Sequence, residues 1–131
     1  MSTEFDIELI KRVSKNCGSA SVKTAPSYLS SLRYWSQEKF FGFTVDGVCF
    51  CFGSFAKKHF RLAEIAVEKG RQGEGYGTFM MNMLESECQK RGVHKITLRT
   101  SKEETAYRFY MKRGGQVVGE KNGDYEMEFI L

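Results

Sequence analysis

Alternating glycines mark one short stretch of the chain, which reads Gln72-Gly73-Glu74-Gly75-Tyr76-Gly77-Thr78. An apolar run at residues 62–67 precedes it and a helical apolar stripe follows it, so the stretch is expected to lead from a strand into a helix. Glycine has no Cβ, which lets a bulky ligand approach the backbone closely. The free N–H groups and the dipole of a helix N-terminus favour an anion such as a diphosphate. The stretch therefore predicts an anion-binding loop, although closely spaced glycines are also typical of a plain tight turn.

Two common phosphate-binding motifs do not match this loop. A P-loop requires Gly-Lys-Ser/Thr after its glycines, and the dinucleotide fingerprint requires the spacing G-x-G-x-x-G. Neither occurs between Gln72 and Thr78. Binding of a nucleotide phosphate by a regulatory domain stays open as an interpretation.

Four cysteines, at positions 17, 49, 51 and 88, form no recognisable metal site. Cys49 and Cys51 have the spacing of one face of a strand, but C-x-C is not the usual zinc knuckle and no second pair follows. Free, partly buried thiols are favoured over a metal site or a disulfide. The sequence therefore predicts no bound metal.

The elements that would position the loop are readable from turn signals and periodicity. Strands are predicted at residues 40–45, 48–55 and 60–67, with Asp46-Gly47 as a two-residue hairpin turn. A helix over residues 75–91 follows. Its expected buried side chains are Tyr76, Phe79, Met80, Met83, Leu84 and Cys88.

A strand at 93–100 should lie parallel to the strand at 60–67, because a helix crosses between them. A helix at 103–113 and a terminal hairpin of strands 116–120 and 125–131 complete the pattern, with Asn122-Gly123 in the turn. Before residue 40 we expect a helix that ends near Asn16, a short strand or loop at 19–25 and a helix at 26–32.

Length and charge restrict the class of protein. A chain of 131 residues is expected to form one domain, residues 1–131. Its 20 basic and 16 acidic residues give a net charge of +4, and no basic run interleaves with aromatic residues, so no nucleic-acid partner is expected. No apolar run of about 18 residues and no export signal are present, which predicts a cytoplasmic protein without a membrane span.

The spacing of Val67, Gln72 and the glycines resembles the acyl-CoA-binding signature of GNAT-type N-acetyltransferases, Q/R-x-x-G-x-G/A, which follows the fourth strand of that family. Further along, Ala106-x-x-Phe109-Tyr110-x-x-x-Gly114 is similar to the family motif N-x-x-A-x-x-F/L-Y-x-x-x-G-F. The resemblance covers roughly residues 40–131. It implies an α/β (α+β) fold with a mixed, mostly antiparallel central sheet, flanked by helices and splayed at the parallel strand pair.

Two positions depart from the second motif. Glu103 stands where the family has Asn, and Gly115 stands where it has Phe. The first change is expected to remove one hydrogen bond to the pantetheine arm. The second is expected to loosen packing at the start of the next strand.

The resemblance implies N-acetyltransfer from acetyl-CoA to a primary amine by direct attack. Backbone groups of Ile65 and Val67 would hold the pantetheine like an added strand, and one of their amides would polarise the thioester oxygen. The diphosphate would bind to the loop and the helix start through Gln72, Gly73, Gly75, Tyr76, Gly77 and Thr78.

Tyr110 is similar in position to the general acid of the family and would protonate the CoA sulfur, whereas a core tyrosine is the plain structural interpretation. Glu64 is the first candidate for the base, because burial in an apolar strand raises the pKa of a carboxyl group. It equally fits a carboxylate that faces solvent or supports a neighbouring amide. His59 is a weaker candidate, and His94 fits a structural or exposed role better.

The acceptor stays open between a small amine and a peptide amine, and the edge strand of the terminal hairpin makes a homodimer a hypothesis. A different class of function also fits the sequence: a sensor or interaction module that binds acyl-CoA without turning it over. A Tyr110→Phe variant discriminates, because an enzyme that uses this hydroxyl loses turnover but keeps cofactor binding.

Overall fold

The computed structural model describes residues 7–16, 39–102 and 105–131. Three helices and six strands lie in these ranges. They are α1 (Ile7–Asn16), β1 (Phe40–Val45), β2 (Cys49–Ala56), β3 (His59–Val67), α2 (Tyr76–Lys90), β4 (Lys95–Ser101), α3 (Thr105–Lys112), β5 (Gln116–Lys121) and β6 (Asp124–Ile130). The elements predicted for residues 19–32, and Glu103, lie outside the described residues. None of the described helices has the length and apolarity needed to cross a membrane.

All six strands form one sheet in the order β1-β2-β3-β4-β6-β5. The pair β3–β4 is parallel, and the other four pairs are antiparallel. Helices cover both faces of the sheet. Helix α1 packs on β2 and β3 in one apolar cluster, and α2 with Tyr110 of α3 belongs to a second apolar cluster on the opposite face. This arrangement confirms the predicted mixed, mostly antiparallel sheet flanked by helices.

The first half of strand β2 is buried on both faces, which explains its apolar run Cys49–Phe52. Phe50 and Phe52 stack at 6.0 Å between ring centroids and pack beside the buried α1 residues Leu9, Ile10 and Val13. Cys49 and Cys51 point to the opposite face, into the core formed with α2. Both are free thiols, as is Cys88, and no metal-binding group of side chains occurs among the described residues.

The two predicted hairpin turns have the backbone conformation that their residues favour. Asp46 and Gly47 have φ angles of 52° and 68°, and Asn122 and Gly123 have 53° and 85°. Two successive positive φ angles match the right-handed twist of the strands that they join. The second turn leaves two residues between the paired Lys121 and Asp124, as a two-residue hairpin requires. The register Val45↔Cys49 leaves three, so Val48 is an extra residue in the first turn.

Helix α2 buries the predicted Met80, Leu84 and Cys88, and it differs from the prediction at Phe79 and Met81. Its buried residues are Met80, Met81, Leu84 and Cys88, whereas Phe79 is 45% exposed. The prediction for Phe79 was therefore wrong. The helix carries apolar residues on adjoining sides, so its sequence indicates a helical period without fixing which side meets the sheet.

Gly115 is buried rather than loosely packed. A Cβ at this position would lie 2.9 Å from the Phe129 ring, 2.9 Å from the Tyr110 carbonyl oxygen and 3.1 Å from Met127. The chain passes close to these groups as it leaves α3 and enters β5, and a side chain has no room there. The expectation that Gly115 loosens this junction was wrong.

Candidate active site

The central parallel strands separate shortly after they meet. Strands β3 and β4 pair only over His59–Arg61 and Lys95–Thr97, at the end where β3 begins. Arg61 lies at the point of separation, where both of its terminal nitrogens donate to the Glu126 carboxylate at 2.8 and 3.1 Å. This paired bond joins β3 to β6 across β4 and lowers the pKa of Glu126, mainly through the hydrogen bond. Beyond it, a gap opens between the carboxyl ends of β3 and β4.

A bulge in β3 begins where the gap begins. Gly53 of β2 pairs with Leu62 while Phe52 pairs with Glu64, so Ala63 is the extra residue. The bulge also requires a glycine opposite it, since a Cβ on Gly53 would lie 2.1 Å from the Arg61 carbonyl oxygen.

The bulge changes which side chains share a face. Before it, Phe60 and Leu62 belong to the core on the α2 side, whereas Ala66 after it belongs to the cluster on the α1 side. Side chains alternate along a strand, so Glu64 shares the α1 face with Ala66. Ile65 and Val67 pack against the core on the α2 side. The Glu64 side chain is half-buried beside the gap.

Backbone groups of β3 point into the gap. The N–H of Glu68 donates to the Val48 carbonyl at 2.8 Å, which shows that the backbone of residue 68 faces β2. Because the backbone direction alternates along a strand, Ile65 and Val67 direct their N–H and C=O groups to the other side. There the Val67 carbonyl accepts a hydrogen bond from Gln72 Nε2 at 3.3 Å. Two of the predicted site residues thus face a region where β4 no longer pairs.

The glycine loop ends at an uncapped helix N-terminus. Gly73 and Gly75 have φ angles of 84° and 90°, which only glycine adopts without strain. Gly75 is the N-cap of α2, no side chain caps the helix, and the first turn holds no acidic residue. The first N–H groups of a helix have no partner inside it. This end of α2 can therefore receive an anion.

Gly77 and Thr78 lie in the first turn of α2 rather than in the loop. A Cβ on Gly77 would meet the ring of Phe109 at 3.4 Å, so this glycine lets α3 approach α2 closely. Thr78 is exposed. The predicted cofactor-binding set is therefore divided between the loop and the helix, and Gly77 has a packing role of its own.

Side chains around the loop form a polar chain to the β1–β2 turn. Arg71 pairs with Glu74 at 2.9 Å and donates to the Tyr76 hydroxyl at 3.1 Å. The hydroxyl in turn donates to Asp46 Oδ2 at 3.3 Å. The roles of Arg71 and Asp46 at this site were not predicted, because no local sequence pattern links position 46 to the loop. These contacts hold Tyr76 beside the entrance to the gap.

Tyr110 of α3 is buried at the base of this region, with the rings of Phe109 and Phe129 at 5.5 and 6.0 Å. Burial raises the pKa of its phenol, and the charge of Glu64 and the thiol of Cys51 raise it further. The hydroxyl therefore stays protonated at neutral pH. Tyr110 belongs to the core on the α2 side and Glu64 to the α1 face, so the two groups flank the gap from opposite sides of the sheet.

Neither histidine lies near this region. His59 begins β3, at the end opposite to the glycine loop, and His94 is exposed just before β4. The nine residues of β3 extend about 26 Å at the usual rise of a strand. Of the candidate bases named from the sequence, only Glu64 is placed beside the gap.

These parts together suit an extended ligand with an anionic end. The side of β3 that faces away from β2 offers backbone groups to an extended arm, the loop and α2 offer N–H groups to phosphates, and a protonated phenol lies below. Such a site is typical of enzymes that bind an acylated pantetheine cofactor.

Comparison with known proteins agrees with this class. A family model described as the acetyltransferase (GNAT) family matches residues 9–115, and the chain belongs to that family. No individual curated protein matches the sequence. Among solved structures, Ard1 from Thermoplasma volcanium has 24% identity and a TM-score of 0.77, with 100% of this chain and 97% of that chain covered.

Two further structures share the fold. The ribosomal-protein-S18-alanine N-acetyltransferase from Escherichia coli has 21% identity and a TM-score of 0.77, with 99% of this chain and 91% of that chain covered. An aminoglycoside 6'-N-acetyltransferase complexed with coenzyme A has 21% identity and a TM-score of 0.71, with 99% and 96% covered. At these identities the comparisons show the fold, and they leave the acceptor open.

Proposed function

We propose that this protein transfers an acetyl group from acetyl-CoA to a primary amine by direct attack. The observation that carries the proposal is the gap between β3 and β4, which leads from the buried Tyr110 to the uncapped start of α2. Structures with the same fold include one crystallised with coenzyme A, which supports the choice of cofactor.

Each part of the site takes one role in binding. The diphosphate lies on the N–H groups of Gly73, Gly75 and the first turn of α2, with Gln72, Tyr76 and Thr78 beside it. The pantetheine arm lies along β3 and hydrogen-bonds to the backbone of Ile65 and Val67. A backbone N–H of this strand polarises the thioester oxygen as negative charge develops on it.

The chemistry needs one base and one acid. The amine nitrogen attacks the thioester carbon, Glu64 removes a proton from the nitrogen directly or through one water, and the C–S bond breaks. Tyr110 donates its proton to the departing sulfur, and a proton from solvent restores the phenol. A raised pKa keeps this hydroxyl protonated before the step. No covalent intermediate on the protein is required.

The acceptor is a small-molecule or peptide amine, since the similar structures include enzymes named for a protein alanine and for an aminoglycoside. Glu64 lies on the α1 face, so the acceptor enters from that side of the sheet. We also propose that residues 1–131 form one domain that acts in the cytoplasm. A homodimer through the exposed edge strand β5 is part of the same proposal.

The test compares turnover with binding. Wild type, Tyr110→Phe and Glu64→Gln would be assayed for CoA release with a panel of amines, and acetyl-CoA affinity would be measured by calorimetry. Tyr110→Phe is expected to lose about 10²–10⁴-fold in turnover with little change in affinity, as general acid catalysis contributes that much. Full turnover in Tyr110→Phe would contradict its role. Tight binding without turnover for any amine would favour the sensor module.

A further inference from the structure

One end of the sheet gathers basic side chains from three distant parts of the chain. The turn between β2 and β3 carries two lysines, the segment from the end of α2 into β4 carries three basic residues, and one lysine precedes β1. We call this surface the basic end. It consists of Lys39, Lys57, Lys58, Lys90, Arg91 and Lys95, with His59 and His94 among them.

Backbone contacts hold the three segments together. The N–H of Phe55 donates to the Lys39 carbonyl, and the N–H of His94 donates to the Lys58 carbonyl at 3.1 Å. His59 registers with Lys95 in the parallel pair of strands. The basic end is thus a fixed part of the sheet, at the end of β3 opposite to the glycine loop.

Few acidic groups balance this surface. Among the described residues, Glu87 pairs with Arg91 at 2.9 Å and Glu128 pairs with Lys95 at 3.6 Å. The lysines at 39, 57, 58 and 90 are exposed. Arg91 is also held over the Phe55 ring at 4.4 Å, so its guanidinium is fixed in place.

The six cations of the basic end exceed its two paired carboxylates by four charges. The chain has 20 basic and 16 acidic side chains, and the basic end with its two carboxylates uses six and two of them. Fourteen of each sign remain, so the rest of the sequence is formally neutral. The net charge of +4 therefore equals the excess of this one surface. A charge concentrated in this way attracts an extended anion far better than the same charge spread evenly.

We propose that the basic end binds the phosphate backbone of double-helical RNA. This surface consists of cationic side chains and has few side chains that could hydrogen-bond to base edges. Duplex RNA is recognised mainly through its shape and its phosphates. A bilayer fits less well, because stable membrane binding needs apolar insertion as well as charge. Among the described residues at this end of the sheet, Ile130 is the one large apolar side chain that is exposed, which is too little for insertion. The sequence-based expectation of no nucleic-acid partner considered only runs along the chain, and the fold brings separated residues together.

The dependence of RNA affinity on salt concentration gives the proposal a quantitative test. Neutralising about four phosphates gives a slope of roughly −3.6 for log K against log salt, so affinity should fall about 150-fold between 50 and 200 mM salt. Fluorescence anisotropy with a labelled 20-base-pair RNA duplex measures this slope. A DNA duplex of the same sequence and vesicles containing phosphatidylserine serve as the other ligands.

The decisive variant is Lys57→Asn with Lys58→Asn, since asparagine tolerates the positive φ of position 57. Removing two of four contacts should halve the slope, which leaves about a 12-fold fall over the same salt range. The matched control, Lys112→Gln with Lys121→Gln, removes the same charge from exposed positions outside the basic end and should retain the wild-type slope. Lys90→Gln with Lys95→Gln is a second test variant if the turn variant does not fold.

Several results would overturn the proposal. It is wrong if wild type does not bind the RNA duplex at 50 mM salt, or if the control variant weakens binding as much as the turn variant. Tighter binding to the DNA duplex, or binding to the vesicles without binding to RNA, would also refute it. An acetyl-CoA-induced rise in the unfolding midpoint should persist in the turn variant, because the basic end lies about 26 Å from the loop along β3. RNA binding can therefore fail while the acetyltransferase proposal stands.

Discussion

Replacing Gly53 by alanine should destabilise the protein strongly, because the new methyl group has no space. Its Cβ would lie 2.1 Å from the Arg61 carbonyl oxygen and 2.7 Å from the Phe60 ring. Both neighbours belong to β3, directly before the bulge at Ala63. Carbon and oxygen atoms that close must separate by roughly 1 Å, which moves the backbone of β3.

The expected loss of stability follows from that displacement. Overpacking of a well-packed core usually costs about 1–3 kcal/mol, and a clash with backbone places Gly53→Ala at about 3 kcal/mol. For a chain of this length the unfolding midpoint should fall by roughly 10 °C. Acetyl-CoA should also bind more weakly, since the shift moves the bulge that directs Glu64 and the backbone of Ile65.

Gly119→Ala is the matched control. Gly119 also lies in a strand, but a Cβ there meets nothing within 4 Å. Its substitution should leave stability unchanged or raise it by up to about 1 kcal/mol, through the lower entropy of the unfolded chain. Thermal unfolding of the two variants gives the comparison. If Gly53→Ala unfolds within about 2 °C of Gly119→Ala, the bulge does not depend on a glycine and our account of the gap is wrong.

Three further predictions concern other parts of the fold. In a Cys17→Ser background, the buried thiols should react with Ellman's reagent at least about 100-fold more slowly in the folded than in the unfolded protein. The reason is that burial raises the pKa of Cys49 to about 11 and that of Cys88 to about 12. Equal reaction rates in the two states would contradict this prediction. Gly115→Ala should lower the free energy of unfolding by about 1–3 kcal/mol in urea titrations, and no loss would show that the junction has spare room. The raised pKa of Tyr110 means that the folded state holds this proton more tightly, so stability should fall as pH rises above about 10, and Tyr110→Phe should reduce that fall.

Local signals predicted most of the fold. Asp46-Gly47 and Asn122-Gly123 specify hairpins because both of their residues adopt positive φ, and the helix between β3 and β4 requires those strands to be parallel. The phase of α2 was not predictable in the same way. Its sequence allowed several apolar stripes, and only packing against the sheet selected the one with Met81 rather than Phe79.

The site was predicted in part, for the same physical reason. The glycine loop and the tyrosine on α3 belong to motifs with fixed spacing along the chain, so their positions in the fold could be predicted from the sequence. The bulge at Ala63 and the contact of Asp46 with Tyr76 arise from pairing between distant segments, and no local pattern encodes them. The basic end has no signal along the sequence, because its lysines come from three separate segments of the chain.

The gap between β3 and β4 is proposed to hold acetyl-CoA with its diphosphate on the glycine loop. Thermal unfolding with and without acetyl-CoA, beside ATP as the control nucleotide, is the decisive measurement. A ligand that binds only the folded state at about 100 times its Kd adds roughly 2.7 kcal/mol of stability. We predict a clear rise of the midpoint with acetyl-CoA and none with ATP. An unchanged midpoint at millimolar acetyl-CoA, or an equal rise with ATP, would contradict the account.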